Sequence, residues 1–194
     1  MDQEKSENQV KNEMEKIAYP GFMARTGAYL LNALIFFPYF LIVFYFQRRW
    51  NQDENLFLLS VILQIFNSIF STFITIFFNK KYGGNPGKLI CKYKIVREDG
   101  LPLTWATAVK RELIAIIIVS LNLIFFYTCY FTHSGIFNTF SEASLFYSRT
   151  RFQRIFSNVT LIVYMYDYGR VKFSSKKQAL HDKIAGTLVV RKSA

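Results

Sequence analysis

LFLLSVILQIFNSIFSTFITIFF, Leu56 to Phe78, runs for 23 residues without one charged side chain. A helix needs about 20 apolar residues to cross a hydrocarbon core of about 30 Å, so this stretch is long enough to span a bilayer. Two more runs flank it: Thr26 to Phe46 supplies 21 uncharged residues and Leu113 to Phe140 supplies 28. The third is longer than a span requires, and His133, Ser134 and Gly135 are expected to end its helix, leaving Ile136 to Phe140 at the interface. A soluble chain of 194 residues would have little use for three such runs.

The rest of the sequence is polar and basic. Lys and Arg number 24 against 13 Asp and Glu, a formal charge of +11, although 52% of residues are hydrophobic. A nucleic-acid binder of this charge would distribute its cations along its helices. Here they fall in blocks between the apolar runs, the arrangement that the cost of a charge in hydrocarbon selects. No nucleic-acid partner is expected.

A fourth span is expected near the C-terminal end. Ile155 to Tyr166 offers only 12 uncharged residues. It reaches spanning length if Arg154 snorkels to one interface and Asp167 meets water at the other. With spans near residues 26–46, 56–78, 113–133 and 152–168, 19 Lys and Arg fall on one side and five on the other. The positive-inside rule then places both termini in the cytoplasm. Trp50, Trp105, Tyr164, Tyr166 and Tyr168 fall near span ends, where amphipathic rings prefer to sit. Pro38 is expected to kink the first span, and Ser141 to Gln153 reads as an interfacial helix on the outer side. Residues 1–18, rich in acids and lysine and without a secretory-signal pattern, read as a flexible cytoplasmic tail.

Two segments after the even-numbered spans have shape of their own. Asn85 can cap a short helix that Pro86 opens, Tyr93-Lys94-Ile95-Val96 alternates like a strand, and Asp99-Gly100 is a turn signal. Further on, Ser175 and Gln178 have capping-box spacing, Gly186 can end the helix, and Thr187-Leu188-Val189-Val190 reads as a second strand. The scheme is repeated, so the two helical hairpins are expected to be pseudo-equivalent halves whose cytoplasmic strands pair. Lys80, Lys81, Lys88, Lys92 and Lys94 are expected to lie against anionic lipid head groups.

Tyr19-Pro20-Gly21-Phe22-Met23-Ala24-Arg25, the stretch from Gly87-Lys88 to Asp99-Gly100, and Gln178-Ala179-Leu180-His181-Asp182 with Ala185-Gly186-Thr187 occur in that order. In these motifs the chain resembles the RDD family of polytopic membrane proteins, over residues 19–194, and the resemblance implies a multi-pass protein of the plasma (bacterial inner) membrane. The resemblance implies a transmembrane domain in which Arg25 and Asp182 stand at two of the family's three naming positions. Asn32 occupies the third, where the family has an aspartate. It shares a helix face with Arg25 and lies about 10 Å deeper at about 1.5 Å per residue. Asn keeps hydrogen-bonding capacity but cannot ionise. Gly87, Lys88, His181 and Gly186 belong to the cytoplasmic motifs.

The family resemblance implies transport of a small solute or cation, with sodium/proton exchange the most concrete form, by an oligomer of thin bundles. Arg25, Asn32 and Asp182 are the candidate ion pathway. Arg25 reads either as a plain cytoplasmic anchor or as a partner of Asn32 or Asp182. Gln64, Asn67 and Asn122, like Asn32, also read as amides that join helices. The absence of a carboxylate deep in the spans weakens proton coupling. The alternative is a non-transporting membrane subunit that assembles or regulates a partner complex. No nucleophile–base pair or paired carboxylates point to an enzyme. Cys91, Cys129, His133 and His181 lack the spacing of a metal site, and no cofactor is implied.

Overall fold

The computed structural model describes residues 18–133 and 136–191, so the expected tail lies almost wholly outside the described residues, as do Ser134 and Gly135. Three long apolar runs became three long helices: α1 (Phe22–Trp50), α2 (Phe57–Tyr82) and α5 (Leu113–Thr132). Among the described residues, these three helices are long and apolar enough to cross a membrane, α2 counted together with the short α3 (Pro86–Ile90) that continues it. Each reaches a few residues beyond, or stops just short of, the bounds read from charge alone, because basic residues such as Lys80 and Lys81 are tolerated in a last turn. Between them lie strand β1 (Tyr93–Arg97) and helix α4 (Trp105–Arg111).

The segment after α5 departs from expectation. Instead of one helix over residues 141–153, α6 (Phe140–Arg149) stops and α7 (Arg151–Phe173) starts afresh. Thr150 is extended between them, and its hydroxyl accepts the Gln153 N–H at 3.2 Å, capping α7. Helix α7 is about 34 Å long at about 1.5 Å per residue. The chain closes with α8 (Leu180–Ala185) and strand β2 (Thr187–Arg191).

The burial pattern is inverted relative to a soluble protein. Leu34, Phe44, Phe66 and Ile124 are all more than half exposed, while Arg25, Asn79, Lys88, Arg111 and Asp182 are buried. A surface of that kind is stable where hydrocarbon covers it. Seven buried apolar residues form two small clusters. Ile95, Leu103, Ala108 and Val189 pack at the end that carries the strands. Phe126, Phe140 and Tyr147 pack at the other, where α6 folds back under α2 and α5.

The two strands pair antiparallel, as the repeated scheme leads one to expect. Their register is symmetric: Ile95 faces Val189, Tyr93 faces Arg191, and Arg97 faces Thr187. A constant offset of 94 residues relates the halves from one α2/α7 start to the strand ends. It maps Phe57 onto Arg151, the helix start Pro86 onto Leu180, and strand Tyr93–Arg97 onto Thr187–Arg191. It also maps the two left-handed residues Gly83 (φ 77°) and Lys92 (φ 59°) onto Lys177 (φ 50°) and Gly186 (φ 61°). Lysine in that conformation is uncommon, so its recurrence at matched positions marks a backbone path used twice. The pair of equivalent residues at the strand centre, Ile95 and Val189, therefore lies on a pseudo-two-fold axis.

Helix α3 lies hard against α1. A Cβ on Gly87 would stand 2.1 Å from the Ala28 carbonyl oxygen and 2.8 Å from the Asn32 Cβ, so no side chain fits. The Gly87 N–H instead points at the Asn32 Oδ1, 3.5 Å away, and Asn85 caps α3 by accepting the Lys88 N–H at 3.2 Å. Gly87→Ala should lower stability by about 1–3 kcal/mol through overpacking. Gly169→Ala, in α7 where a Cβ meets nothing within 4 Å, should leave stability unchanged or raise it. Thermal unfolding of both variants in detergent checks this, and equal behaviour of the two would contradict the close α1–α3 approach.

Candidate functional site at the strand-bearing end

Asp182 is fully buried, and everything around it is arranged to hold a negative charge. It enters from α8, whose first turn it caps by accepting the Ala179 N–H at 3.1 Å. Gly186, at φ 61°, ends that helix one turn later. The capping box expected of Ser175 and Gln178 does not form. The cap lies at Ala179, and Gln178 donates to Glu98 at 2.8 Å and to the Thr187 carbonyl at 3.0 Å, tying the helix to the strands.

Two guanidinium groups meet Asp182. Arg25, from the first turn of α1, donates to Oδ2 at 2.6 Å. Its other nitrogens donate to the carbonyls of Pro20 at 3.1 Å and Lys177 at 2.5 Å, which spends its fork on the two chain segments flanking the site. Arg111, the last residue of α4, pairs with Oδ1 and donates to the Thr187 hydroxyl at 2.7 Å. Burial alone would raise the Asp182 pKa. The Arg111 and Arg25 charges outweigh that penalty and hold the carboxyl well below the usual carboxylate range.

A second carboxylate balances the second arginine. Asp167, near the end of α7, accepts the His181 backbone N–H at 2.8 Å and meets the His181 Nδ1 at 2.6 Å. The His181 Nε2 lies 3.1 Å from an Arg111 nitrogen. A guanidinium can only donate, so Nε2 accepts and Nδ1 carries the proton that goes to Asp167. Asn79, at the end of α2, donates to Glu112 at 3.0 Å. A chamber of about 50 Å³ opens among Tyr29, Arg111, Glu112, Tyr164, Asp167 and His181, large enough for water.

The structure thus brings Arg25, His181 and Asp182 together and sets Gly186 beside them. Asn32 is not a partner of Arg25: it serves α3 through Gly87. Lys88 corrects an expectation. Rather than lying against head groups it is 5% exposed, its ammonium 4.9 Å from the centre of the Tyr29 ring. Lys81, Lys92 and Lys94 are exposed. The sequence pattern singles out neither Arg111 nor Glu112, and it presents Asp167 only as a water-facing span end and Thr187 only as a strand residue. Arg111 carried a usable signal, since it stands just before the third apolar run as Arg25 stands just before the first.

The sequence model of the RDD family matches residues 19–186, nearly all of the described chain. The chain belongs to the RDD family. RDD proteins are membrane proteins, and with its apolar helices this chain is a multi-pass membrane protein. Comparison with curated proteins and with solved structures finds no match. In this RDD chain the naming arginine and the closing aspartate form one ion pair, while the third naming position, Asn32, belongs to a separate contact. Among the described residues, His, Cys, Asp and Glu nowhere gather in a group of three able to hold a metal ion.

Removing one partner of a buried ion pair leaves an uncompensated charge and costs about 3–5 kcal/mol. Asp182→Asn should lose stability of that order, read as a fall in the thermal midpoint in detergent. The sign with pH follows from the depressed pKa. The contribution is fully present above the unfolded value near about 3.9 and is lost as pH falls through the lower folded value. The gap between wild type and Asp182→Asn should therefore be constant from about pH 8 to about pH 5 and shrink only below about pH 4. A gap that closes near neutrality would show that Asp182 is not held ionised by the arginines.

Proposed function

We propose that this RDD protein is a four-span protein of the plasma membrane that moves a small solute or cation, with α7 as the fourth span and both termini in the cytoplasm. The length of α7 supports its crossing, and the excess of Lys and Arg on one side supports the orientation. The exposed lysines around α3 and β1 then face anionic head groups, and a homo-oligomer completes a bundle too thin to enclose a path alone.

The observation that carries the transport reading is a cavity of about 490 Å³ between α2, α5 and α7, lined by six polar side chains at mid-helix: Gln64, Ser68, Asn122, Ser157, Thr160 and Tyr164. Tyr164 also borders the small chamber beside Glu112 and Asp167, so a polar surface continues from the middle of the helices to the charged end. Cavities of this size suit small ligands. A non-transporting subunit is the second reading. The complete pairing of Asp182 favours it, because a carboxylate held by two arginines is not free to exchange a proton.

Purified protein in sealed vesicles, under sodium, potassium and proton gradients and with neutral solutes, tests the proposal. Flux above that of empty vesicles is expected. Asp182→Asn should reduce it through loss of structure, whereas Asn32→Asp should raise any proton-coupled component by supplying an ionisable group next to buried Lys88. No flux of any solute under any gradient would leave the subunit reading.

A further inference from the structure

The same mid-helix cavity has a chemistry narrower than "small solute or cation". Three helices contribute to it, yet none of the residues lining it carries a formal charge. Its lining is a mixture of donors and acceptors. Gln64 Oε1 already accepts from Gln47 Nε2 at 2.9 Å, so Gln64 presents its NH₂ group as a donor. Ser157 Oγ accepts from Gln153 at 3.3 Å and keeps its own hydrogen to give. Ser68 is the reverse: its hydrogen goes to the Gln64 carbonyl at 2.9 Å, which leaves lone pairs. Among the described residues, the Asn122 amide makes no hydrogen bond and offers both kinds of group.

A cation needs a shell of acceptors, and amide NH₂ groups in that shell repel it. An anion needs donors and a compensating positive charge, and the lining has none. A molecule that both donates and accepts, without charge, matches the set. Physical cost argues the same way, since an unmet polar group in hydrocarbon costs several kcal/mol, so the Asn122 amide and the free NH₂ of Gln64 do not face lipid tails dry.

We infer that the cavity between α2, α5 and α7 is a binding site for a small uncharged hydrogen-bonding solute of the polyol or amide class. The inference rests on the transport reading only for passage, not for binding. Asn122 and Gln64 hold the solute from opposite walls, and Thr160 and Tyr164 line the route to the strand-bearing end. Apolar Ile118, Val119 and Leu123 supply the remaining wall, which accommodates carbon but offers no charge.

The test uses the full chain with Cys91 and Cys129 replaced by alanine and Thr160→Cys introduced, reconstituted in vesicles. Labelling by a water-soluble, charged thiol reagent reads hydration of the cavity, and slowing of that labelling by glycerol or urea reads occupancy. Stopped-flow vesicle swelling with glycerol or urea, against sodium and potassium flux, reads passage. The expected result is labelling that glycerol or urea slows. Adding Asn122→Leu should raise the concentration needed by about tenfold, the loss of about 1.4 kcal/mol. Gly169→Ala in place of Asn122→Leu should leave it unchanged. Protection without flux of any solute would keep the site and end the transport reading. Ion flux with neither protection nor neutral-solute swelling would end this inference and leave transport standing. A disulfide between two copies formed through Thr160→Cys would show that the cavity is an interface between copies and overturn the inference, as would a cysteine that never reacts in protein of native stability.

Discussion

A single buried carboxylate, Asp182, organises one end of this protein. Without it two buried guanidinium groups, on Arg25 and Arg111, would face each other with no negative charge between them. With it they converge, and each then has nitrogens left to bind a carbonyl, a hydroxyl or an imidazole. Arg25 belongs to the start of α1 and Arg111 to the segment that opens α5, so one side chain of α8 fastens the first helices of both hairpins. Buried ion pairs often return less stability than packed apolar groups would, and their use lies in fixing one arrangement. Here that arrangement holds together helices whose outward faces are apolar and exposed.

The pseudo-two-fold relation gives the same constraint a geometric form. Each hairpin ends in a short helix, a left-handed residue and a strand, and the strands meet about their equivalent centres, Ile95 and Val189. The short helices are not chemically equivalent. In the first half α3 presents Gly87, which permits contact with α1 at backbone distance. At the matching place α8 presents His181, followed by Asp182 where the first half has Lys88. One half therefore docks by shape and the other by charge. The hairpins are also unequal, since the connection at the end away from the strands carries α6 in the second hairpin alone.

Much of this could be read from residues. Uncharged length gave the three long helices, because a charge in hydrocarbon is costly enough to leave a gap in the sequence wherever a span lies. Asn85 before Pro86 gave the cap of α3, and the β-branched alternation gave both strands and their pairing. The site was harder. Arg25 and Asp182 are 157 residues apart, and hydropathy says nothing about which charged residue is buried. Lys88 looked like any lysine in a basic loop, and only its position over Tyr29 reveals it as interior. Asp167 ended an apolar run and so read as a group facing water, whereas it meets His181 from a turn that no local pattern places nearby. Thr150 escaped notice because no Pro or Gly marks a break between Ser141 and Gln153, although Thr150 and Gln153 have the spacing of a helix start, and one residue in extended conformation was enough to divide the segment.

The most direct measurement of the central claim is a double-mutant cycle on Arg25→Gln and Asp182→Asn, each alone and together, followed by unfolding in detergent. Directly contacting partners couple by about 0.5–3 kcal/mol, so the double variant should be clearly more stable than the sum of the two losses. Strict additivity would contradict the account: Arg25 and Asp182 would then act independently, and the end of the bundle would be held by something other than a shared carboxylate.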